Sequence, residues 1–363
     1  MAIHFHPLTV ARVTPDAAAS AAITLAVPPA LRAAFDFQPG QFLTLRADID
    51  GQEARRSYSI CSAHHRYRAH GEIDIGIKPV ESGVFSRWAL AHLRPGSTIE
   101  AMPPDGRFTA RVAGARHRVG FAAGSGITPL LSIIASTLEE QPDSSFTLVY
   151  GNQRANTIMF NEALQDLKDR HPARLALIHL LSRQSQEIEL LNGRIDEAKV
   201  AQLLRTIVPP GDIDEAFICG PEGMIEAAHR ALLAAGVAPE RVHTERFFPA
   251  GSAVAVRTRG TAVAAARVAD KPVHLDVVLD GKTHHLAMGT SDKVLDAALD
   301  GGLDLPYSCR GGVCCTCRAR LLEGKVEMEK NFTLEAWEID KGFVLTCQAR
   351  PLTGRVVVSY DER

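Results

Sequence analysis

Four of the seven cysteines lie in one short segment, Cys309-Arg-Gly-Gly-Val-Cys314-Cys-Thr-Cys317, and Cys347 follows further along the chain. The spacing C-x4-C-x2-C…C is typical of plant-type [2Fe-2S] proteins, in which four thiolates hold two irons. Gly311 and Gly312 suit a loop whose backbone N–H groups point at the sulfurs, because glycine adopts positive φ freely and adds no side chain. The sequence therefore predicts Cys309, Cys314, Cys317 and Cys347 as the metal ligands.

Two alternatives stay open for this loop. Structural zinc usually takes its cysteines from two C-x2-C pairs, and only one such pair is present here. Cys315 could in principle replace Cys314 as a ligand, although we interpret it as a small residue outside the ligand set.

A glycine turn earlier in the chain has the composition of a phosphate-binding loop. The segment Ala122-Ala-Gly124-Ser-Gly126-Ile-Thr128-Pro129 follows an apolar strand and precedes a helical pattern. Gly124 and Gly126 let the backbone approach a pyrophosphate, Thr128 can cap the helix, and the helix N-terminus favours anionic oxygens. An ordinary strand–turn–helix is the simpler alternative.

Two other strand ends in the same region could complete a nucleotide site. Cys219-Gly220-Pro221 forms a tight exit from a strand, against which a nicotinamide ring could lie. Ser182-Arg183 ends another strand, and Arg183 is suited to a 2′-phosphate, which would favour NADPH while leaving NADH possible. Plain burial of Cys219 and a solvated Arg183 are the corresponding alternatives.

The N-terminal third has a third group of candidate ligand-binding residues. Arg56, Tyr58 and Ser59 lie on one short strand and offer a cation for phosphate, a ring for stacking and a hydroxyl for a ring nitrogen. Lys78 and the helix start Gly83-Val-Phe-Ser86 add a second place where a pyrophosphate could bind. By itself the first motif is also compatible with an ordinary half-exposed strand.

Composition excludes several classes of protein. The chain has 363 residues, a formal net charge of −2 and 46% hydrophobic residues. This balance provides no field for nucleic acid or an anionic membrane, and no window is apolar enough for a membrane span. Without a recognisable targeting segment, we expect a cytoplasmic protein.

The periodicity of the chain predicts three domains joined by one linker. Closely spaced, alternating strands in residues 1–112 favour an antiparallel β-barrel, interrupted by a helix over Val84 to Leu93. Apolar strands alternating with helices in residues 113–248 indicate an α/β domain with a parallel sheet. Residues 249–271, rich in Ala, Val and Gly, have the composition of a linker, and residues 272–363 form an α+β domain carrying the cysteine loop.

Taken together, these motifs resemble the ferredoxin-NADP reductase superfamily fused to a C-terminal plant-type ferredoxin of β-grasp fold. The order of the motifs is flavin, nucleotide, cluster, and the resemblance covers nearly the whole chain. More narrowly, Tyr150-Gly-Asn152, His243-Thr-Glu-Arg-Phe247 and Val344-Leu-Thr-Cys347-Gln-Ala349 resemble the reductase subunits of phenylacetyl-CoA epoxidases.

The resemblance implies the cofactors and their sites. It implies FAD rather than FMN, at Arg56, Tyr58, Ser59, Lys78, Gly83 and Ser86, with Phe247 near the flavin. It also implies a nicotinamide nucleotide at Gly124, Gly126, Thr128, Ser182, Arg183, Cys219, Gly220 and Pro221. The protein would pass electrons from NADPH to FAD, to the cluster and then to a di-iron oxygenase, and no catalytic acid or base is expected.

Two other functions remain possible on the sequence alone. The same three-cofactor reductase could serve another acceptor, such as a hybrid-cluster protein or another oxygenase. A redox sensor that binds a partner without turnover is an alternative of a different class.

Overall fold

In the computed structural model, residues 4–81, 83–247, 257–258 and 273–362 are described. Within them the chain forms three parts in succession, each built on its own main β-sheet. This order agrees with the fold class expected from the sequence.

The first part is an antiparallel barrel with the strand order β4-β3-β6-β1-β2-β5. Its elements are β1 (His6–Pro15), β2 (Ala21–Ala26), β3 (Phe42–Ile49), β4 (Gln52–Ser59), α1 (His64–His70), β5 (Glu72–Ile77), α2 (Val84–His92) and β6 (Thr98–Ala101). A bridge between Ile60 and Ile75 joins the end of β4 to β5 and closes the sheet. The barrel encloses a buried core that includes Leu8, Ile23 and Leu43.

Of the two helices in this part, the sequence indicated only α2. The predicted span of α2 is confirmed to within one residue at its C-terminal end. The sequence pattern did not reveal α1, because that segment reads His-His-Arg-Tyr-Arg-Ala-His and buries only Tyr67. A single buried residue in two turns gives no helical periodicity to detect.

The second part is a five-stranded parallel sheet with the order β11-β10-β7-β8-β9. Its elements are β7 (His117–Ala123), α3 (Ile127–Glu140), β8 (Ser145–Asn152), α4 (Asn161–Arg170), β9 (Leu175–Leu181), α5 (Glu197–Thr206), β10 (Glu215–Gly220), α6 (Glu222–Ala234) and β11 (Val242–Arg246). Helices α3 and α4 pack on one face and α5 and α6 on the other. All four predicted helices and the predicted parallel sheet are confirmed.

The strand order of this sheet reverses beside β7. The chain runs from β7 outward to β8 and β9, then returns to place β10 on the other side of β7. Ligands of open α/β sheets bind at the carboxyl ends of the strands at such a reversal. Both the glycine turn after β7 and the Cys219 turn at the end of β10 lie there.

A buried ion pair joins the barrel's exit segment to this sheet. Arg118 of β7 donates from Nε to Glu215 of β10 at 2.9 Å, and both side chains are sealed from solvent. The other Glu215 oxygen accepts the backbone N–H groups of Arg111 and Val112. Burial by itself would raise the pKa of Glu215, but hydrogen bonds from His243, the Arg111 amide and Arg118 lower it to about 2. The carboxylate therefore fixes the segment that connects the barrel to the parallel sheet.

A short strand from late in the chain, β12 (Arg257–Thr258), pairs with β4 and extends the barrel sheet. It falls inside the predicted linker, residues 249–271. The rest of that linker lies outside the described residues, and the predicted domain boundaries stay predictions.

The third part is a mixed sheet with the order β14-β13-β19-β15-β17, together with a two-stranded sheet of β16 and β18. Its elements are β13 (Val273–Leu279), β14 (Lys282–Met288), α7 (Val294–Asp300), β15 (Arg318–Glu323), β16 (Val326–Met328), α8 (Ala336–Asp340), β17 (Phe343–Leu345), β18 (Ala349–Pro351) and β19 (Arg355–Ser359). The predicted hairpin at Gly281-Lys282 and the predicted helix that becomes α7 are confirmed. Across the described residues, no helix has the length and apolarity that crossing a bilayer requires.

Candidate functional site

Strand β4 carries candidate flavin-binding residues on alternate positions. Arg56 and Tyr58 share one side, as the two-residue period of a strand requires, and Ser59 follows, buried at the strand end. The Tyr58 ring lies 5.9 Å from that of Phe85 on α2, so it stands next to the helix start that the sequence singled out. Burial lowers the pKa of Arg56, and the nearby Tyr58 and Cys309 oppose that effect.

The turn before α2 is shaped by two of the predicted residues. Gly83 is the residue before the helix, and a Cβ there would lie 2.7 Å from the Ser86 hydroxyl. That hydroxyl is buried and accepts the Val80 backbone N–H at 3.2 Å. Ser86 thus holds the turn that follows Lys78. A phosphate at this turn would meet backbone rather than a bulky side chain.

The glycine turn after β7 makes a close contact with the end of β10. Gly124 has φ of +54°, and a Cβ on Gly126 would lie 2.1 Å from the Cys219 carbonyl oxygen. Only glycine fits a position this close to another backbone. A Cβ on Gly124 would lie 3.8 Å from the Lys78 Nζ. The turn therefore faces the barrel residue assigned to the neighbouring site.

Thr128 does not cap α3, and this part of the sequence prediction is wrong. Residues Gly124–Gly126 form a 3₁₀ turn that runs directly into α3, which begins at Ile127. Because no extended residue precedes the helix, Thr128 lies in its first turn, and its hydroxyl donates to the Ser125 carbonyl at 3.0 Å. The sequence also missed Tyr150, whose buried hydroxyl donates to the Gly124 carbonyl at 2.9 Å and holds the turn in place.

Ser182 and Arg183 lie beside the loop that follows β8. Their backbone N–H groups donate to Asn152 and Gln153 carbonyl oxygens at 3.0 and 2.9 Å. Both residues are exposed, at the same sheet edge as the glycine turn. Arg154 is a second exposed cation on the adjoining loop, and the sequence analysis overlooked it because it belongs to a different strand end.

Cys219 is fully buried at the end of β10, with Gly220 and Pro221 leading into α6. A Cβ on Gly220 would lie 2.6 Å from the Met224 methyl group, so this exit is tightly packed. In register with Cys219 on β11 is Glu245, a residue that the motif analysis quoted without assigning it a role. The Glu245 Oε2 atom is sealed from solvent without a hydrogen-bond partner. Burial raises the pKa of Glu245 to about 8.

Phe247 ends β11 at the border between the barrel and the parallel sheet. It packs against an apolar group that includes Cys61 and Phe108 from the barrel side and Cys219 from the sheet. An aromatic ring at this border fits the position near the flavin that the family resemblance implies.

The four predicted cluster ligands come together as two pairs. The thiols of Cys309 and Cys314 are hydrogen-bonded to each other, as are those of Cys317 and Cys347. The Gly311 N–H donates to the Cys309 sulfur at 3.3 Å, and the Gln348 amide to the Cys347 sulfur at 3.5 Å. The hydrogen bond from Cys314, together with such amide groups, lowers the pKa of Cys309.

This pairing fits two irons better than one ion. Among the described residues, no three His, Cys, Asp or Glu side chains are placed to share a single metal ion. Two sulfur pairs linked by one loop instead offer two ligands to each of two metal ions, with N–H groups directed at the sulfurs, as a [2Fe-2S] cluster requires. The residues present therefore fit the cluster.

Cys315 faces a different environment from the four paired cysteines. Its sulfur accepts the Thr333 hydroxyl at 3.5 Å, and its φ of +59° is unusual for a residue with a side chain. Burial raises the pKa of this thiol. The orientation supports the interpretation of Cys315 as a residue outside the ligand set.

The cysteine loop touches the barrel beside the candidate flavin residues. The Ser57 hydroxyl of β4 lies 2.8 Å from the Ser308 hydroxyl, and Ser308 immediately precedes Cys309. The neighbours of Ser57 on β4 are Arg56 and Tyr58. One strand thus carries flavin-site candidates and also contacts the loop that holds the cluster ligands.

Three family models match the chain in the order of the three parts. An oxidoreductase FAD-binding domain matches residues 14–110, an oxidoreductase NAD-binding domain residues 121–230, and a 2Fe-2S iron-sulfur cluster binding domain residues 277–352. The chain is therefore an oxidoreductase that uses FAD, NAD(P)H and a [2Fe-2S] cluster, which confirms the cofactors expected from the sequence.

Two curated relatives match nearly the whole chain. It is 44% identical to one of the subunits of 1,2-phenylacetyl-CoA epoxidase from Escherichia coli (strain K12), with 99% of this chain and 98% of the relative covered. It is 35% identical to the ferredoxin reductase component of 3-ketosteroid-9-alpha-monooxygenase from Rhodococcus rhodochrous, with 97% and 96% covered.

A solved structure has the same succession of parts. Phthalate dioxygenase reductase, described as a modular structure for electron transfer from pyridine nucleotides to [2Fe-2S], superposes with a TM-score of 0.57 at 20% identity. The superposition covers 98% of each chain. At this identity the likeness concerns the fold alone.

The pairing of the cysteines predicts different outcomes for two adjacent serine substitutions. In Cys314→Ser, one sulfur of a pair is lost, and we expect iron to fall from about two per chain to well below one. In Cys315→Ser, the matched control, iron content and visible absorbance should stay near the wild type. Iron assay and absorbance of the purified full chain measure both, and loss of iron from Cys315→Ser alone would transfer the ligand role to Cys315.

The buried carboxyl of Glu245 predicts a pH dependence of stability. A carboxyl protonated in the folded chain but ionised in the unfolded chain stabilises the fold at low pH, and this contribution is lost as pH rises from about 4.5 to about 8. The melting temperature should therefore fall between about pH 5 and about pH 9 by a few degrees more in the wild type than in Glu245→Gln. The exposed Glu240→Gln is the control, and an equal fall in all three proteins would contradict the burial of an uncompensated carboxyl.

Proposed function

This chain belongs to the family of flavin- and [2Fe-2S]-containing reductase components of multicomponent oxygenases, and we propose that its electron acceptor is the oxygenase component of a phenylacetyl-CoA epoxidase. The observation that carries this proposal is the 44% identity to the Escherichia coli epoxidase component over nearly the full length of both chains. The identity to the ketosteroid monooxygenase component is lower, at 35%.

The finer features of this assignment follow from the same relationship. The acceptor would be a di-iron oxygenase, and the reductase would work in the cytoplasm, where nicotinamide nucleotides are available and thiols stay reduced. NADPH would be the preferred donor, with NADH possible.

The cofactors supply the redox chemistry, because FAD accepts a two-electron hydride and can release electrons singly to a one-electron [2Fe-2S] centre. The residues of the chain bind, orient and shield these groups. Arg56 and Lys78 provide cations for the flavin phosphates, Tyr58 and Ser59 contact the ring system, and the turn closed by Gly83 and Ser86 leaves room for the pyrophosphate.

The nucleotide would bind at the carboxyl edge of the parallel sheet. Gly124, Gly126 and the start of α3, including Thr128, would hold its pyrophosphate, since backbone N–H groups and the helix dipole converge there. Cys219, Gly220 and Pro221 would bound the nicotinamide pocket. Glu245, beside Cys219 with one oxygen sealed from water, would exclude solvent and hold a proton near the nicotinamide.

The cluster would be held by Cys309 and Cys314 on one iron and by Cys317 and Cys347 on the other. The Gly311 N–H and the Gln348 amide, which already point at sulfurs, would stabilise the negative charge of the bound group.

An anaerobic titration followed by reconstituted turnover tests the function. The purified chain, with flavin and iron quantified, is reduced with NADPH while flavin and cluster absorbance are followed. It is then mixed with the oxygenase component of a phenylacetyl-CoA epoxidase, O₂ and phenylacetyl-CoA, and epoxide formation is measured per NADPH consumed. A ketosteroid oxygenase component with its own substrate is the matched acceptor.

We expect both chromophores to be reduced and epoxide to form in near-stoichiometric yield. Turnover with the ketosteroid oxygenase instead would reassign the acceptor while leaving the electron path intact. Very slow hydride transfer with excess NADPH would point to the sensor alternative.

The position of Arg183 predicts the choice between NADPH and NADH. Removal of a charge-assisted hydrogen bond to the 2′-phosphate costs about 1.5–3 kcal/mol, so Arg183→Ala should raise KM for NADPH about 10- to 100-fold. KM for NADH, which lacks this phosphate, should change by less than about twofold. Steady-state kinetics with ferricyanide as acceptor measure both constants.

A matched control is Arg205→Ala, an exposed arginine on α5. It removes the same charge from the same part of the chain and should leave both KM values unchanged. Equal losses with both nucleotides in Arg183→Ala would refute the assignment of Arg183 to the 2′-phosphate.

A further inference from the structure

The ferredoxin domain, described here over residues 273–362, contacts the rest of the chain through two charged contacts. One uses residues that precede the cysteine loop, and the other uses residues that follow it. Between them lies the Ser57–Ser308 hydrogen bond described above. The loop with the cluster ligands is thus held against β4 from both sides.

The first contact, which we call the Arg55 contact, joins β4 to the segment before the loop. Arg55 is only 4% exposed, and its guanidinium donates to Asp304 at 2.7 Å and to the Leu305 carbonyl at 2.9 Å. It also lies over the Tyr307 ring, 4.2 Å from its centroid. Charge, backbone and ring of the ferredoxin domain therefore all meet one side chain of the barrel.

The second contact, the Arg107 contact, joins the segment after β6 to α8. Arg107 forms an ion pair with Glu338, which is fully buried. Next to it, Arg111 pairs with Glu335 at 3.2 Å. Arg107 also lies close enough to Cys315 to interact with it electrostatically.

In both contacts the buried charge keeps a partner within its own domain. Arg55 donates to Glu53 of the same strand at 2.8 Å, and Glu338 pairs with Arg318 of the ferredoxin domain. Separation of the domains would therefore leave neither buried charge unpaired. An unpaired buried charge is what makes the rupture of a buried ion pair costly, so this arrangement lowers the cost of separation.

We propose that the Arg55 and Arg107 contacts are reversible positioning contacts, which dock the cysteine loop beside the flavin strand and thereby set the rate of electron transfer from flavin to cluster. Arg55, Asp304, Arg107 and Glu338 are positioning residues. They act by fixing the distance between the two sites and take no part in the chemistry. The inference does not depend on which oxygenase accepts the electrons, because internal transfer is measured without an acceptor.

The two contacts differ in their sensitivity to salt. The Asp304 side chain is 69% exposed, whereas that of Glu338 is fully buried. Mobile ions screen exposed charges far more than buried ones. Rising ionic strength should therefore weaken the Arg55 contact first.

The test uses the full chain with all cofactors bound. Arg107→Gln and Asp304→Asn, singly and together, remove one charge from each contact and leave Arg55 and Glu338 with their partners in their own domains. Arg12→Gln, an exposed barrel arginine paired only distantly with Glu72 at 3.8 Å, is the matched charge control. Stopped-flow absorbance after mixing with NADPH resolves flavin reduction from cluster reduction, and small-angle X-ray scattering of the same samples gives the radius of gyration.

In the double variant we expect flavin reduction by NADPH to be unchanged and cluster reduction to slow by about tenfold or more. The radius of gyration should increase, and direct reduction of the cluster by dithionite should keep its wild-type rate. Added salt should slow cluster reduction in the wild type and in Arg12→Gln, but much less in Asp304→Asn.

Three outcomes would overturn the proposal. The first is unchanged cluster reduction in the double variant. The second is an increased radius of gyration with unchanged cluster reduction, because docking would then not limit transfer. The third is slower transfer without any change in the radius of gyration, since the residues would then act otherwise than by positioning, and a redox titration of the cluster would identify that effect.

Discussion

The two-residue period of strand β4 is the constraint on which the arrangement of the sites depends. Successive side chains of a strand point to opposite sides, so five consecutive residues can serve two neighbours. Arg56 and Tyr58 take the side next to α2, while Arg55 and Ser57 contact the segment before the cysteine loop. A shift of one residue in the pairing of β3 with β4 would exchange these roles along the whole strand. The eight consecutive pairs between the two strands fix that register.

Most of the architecture could be predicted from the sequence, because its signals are local. The parallel sheet and its four helices follow from strand and helix periodicities, and the cysteine spacing identifies the cluster loop without knowledge of the fold. The prediction that Thr128 caps α3 was wrong because a cap depends on the backbone conformation of the preceding residues, and here a 3₁₀ turn runs into the helix. Helix α1 was missed because it buries one residue only.

Residues whose roles come from distant parts of the chain could not be found in this way. Glu245 has its unusual pKa because of burial next to Cys219, which is 26 positions away in sequence and adjacent only in the sheet. Tyr150 holds the glycine turn from the neighbouring strand, and Glu338 meets Arg107 across a separation of 231 residues. Each of these is an ordinary residue in its local context. The motifs locate the ligands of the cofactors, whereas the tertiary fold decides which side chains hold those motifs in place.

The covering of the cysteine loop also bears on how the holoprotein matures. Cys309, Cys317 and Cys347 are each less than a tenth exposed, and β4 lies against the residue that precedes the first of them. A scaffold protein that delivers iron and sulfide needs access to this loop, so insertion of the cluster has to come before the loop settles against the barrel. The cysteine-bearing part is the last to leave the ribosome and has a hydrophobic core of its own, so it can fold and be loaded while the barrel is already formed. Seen in this way, contacts that separate without stranding a buried charge also give the biogenesis machinery time to finish its work.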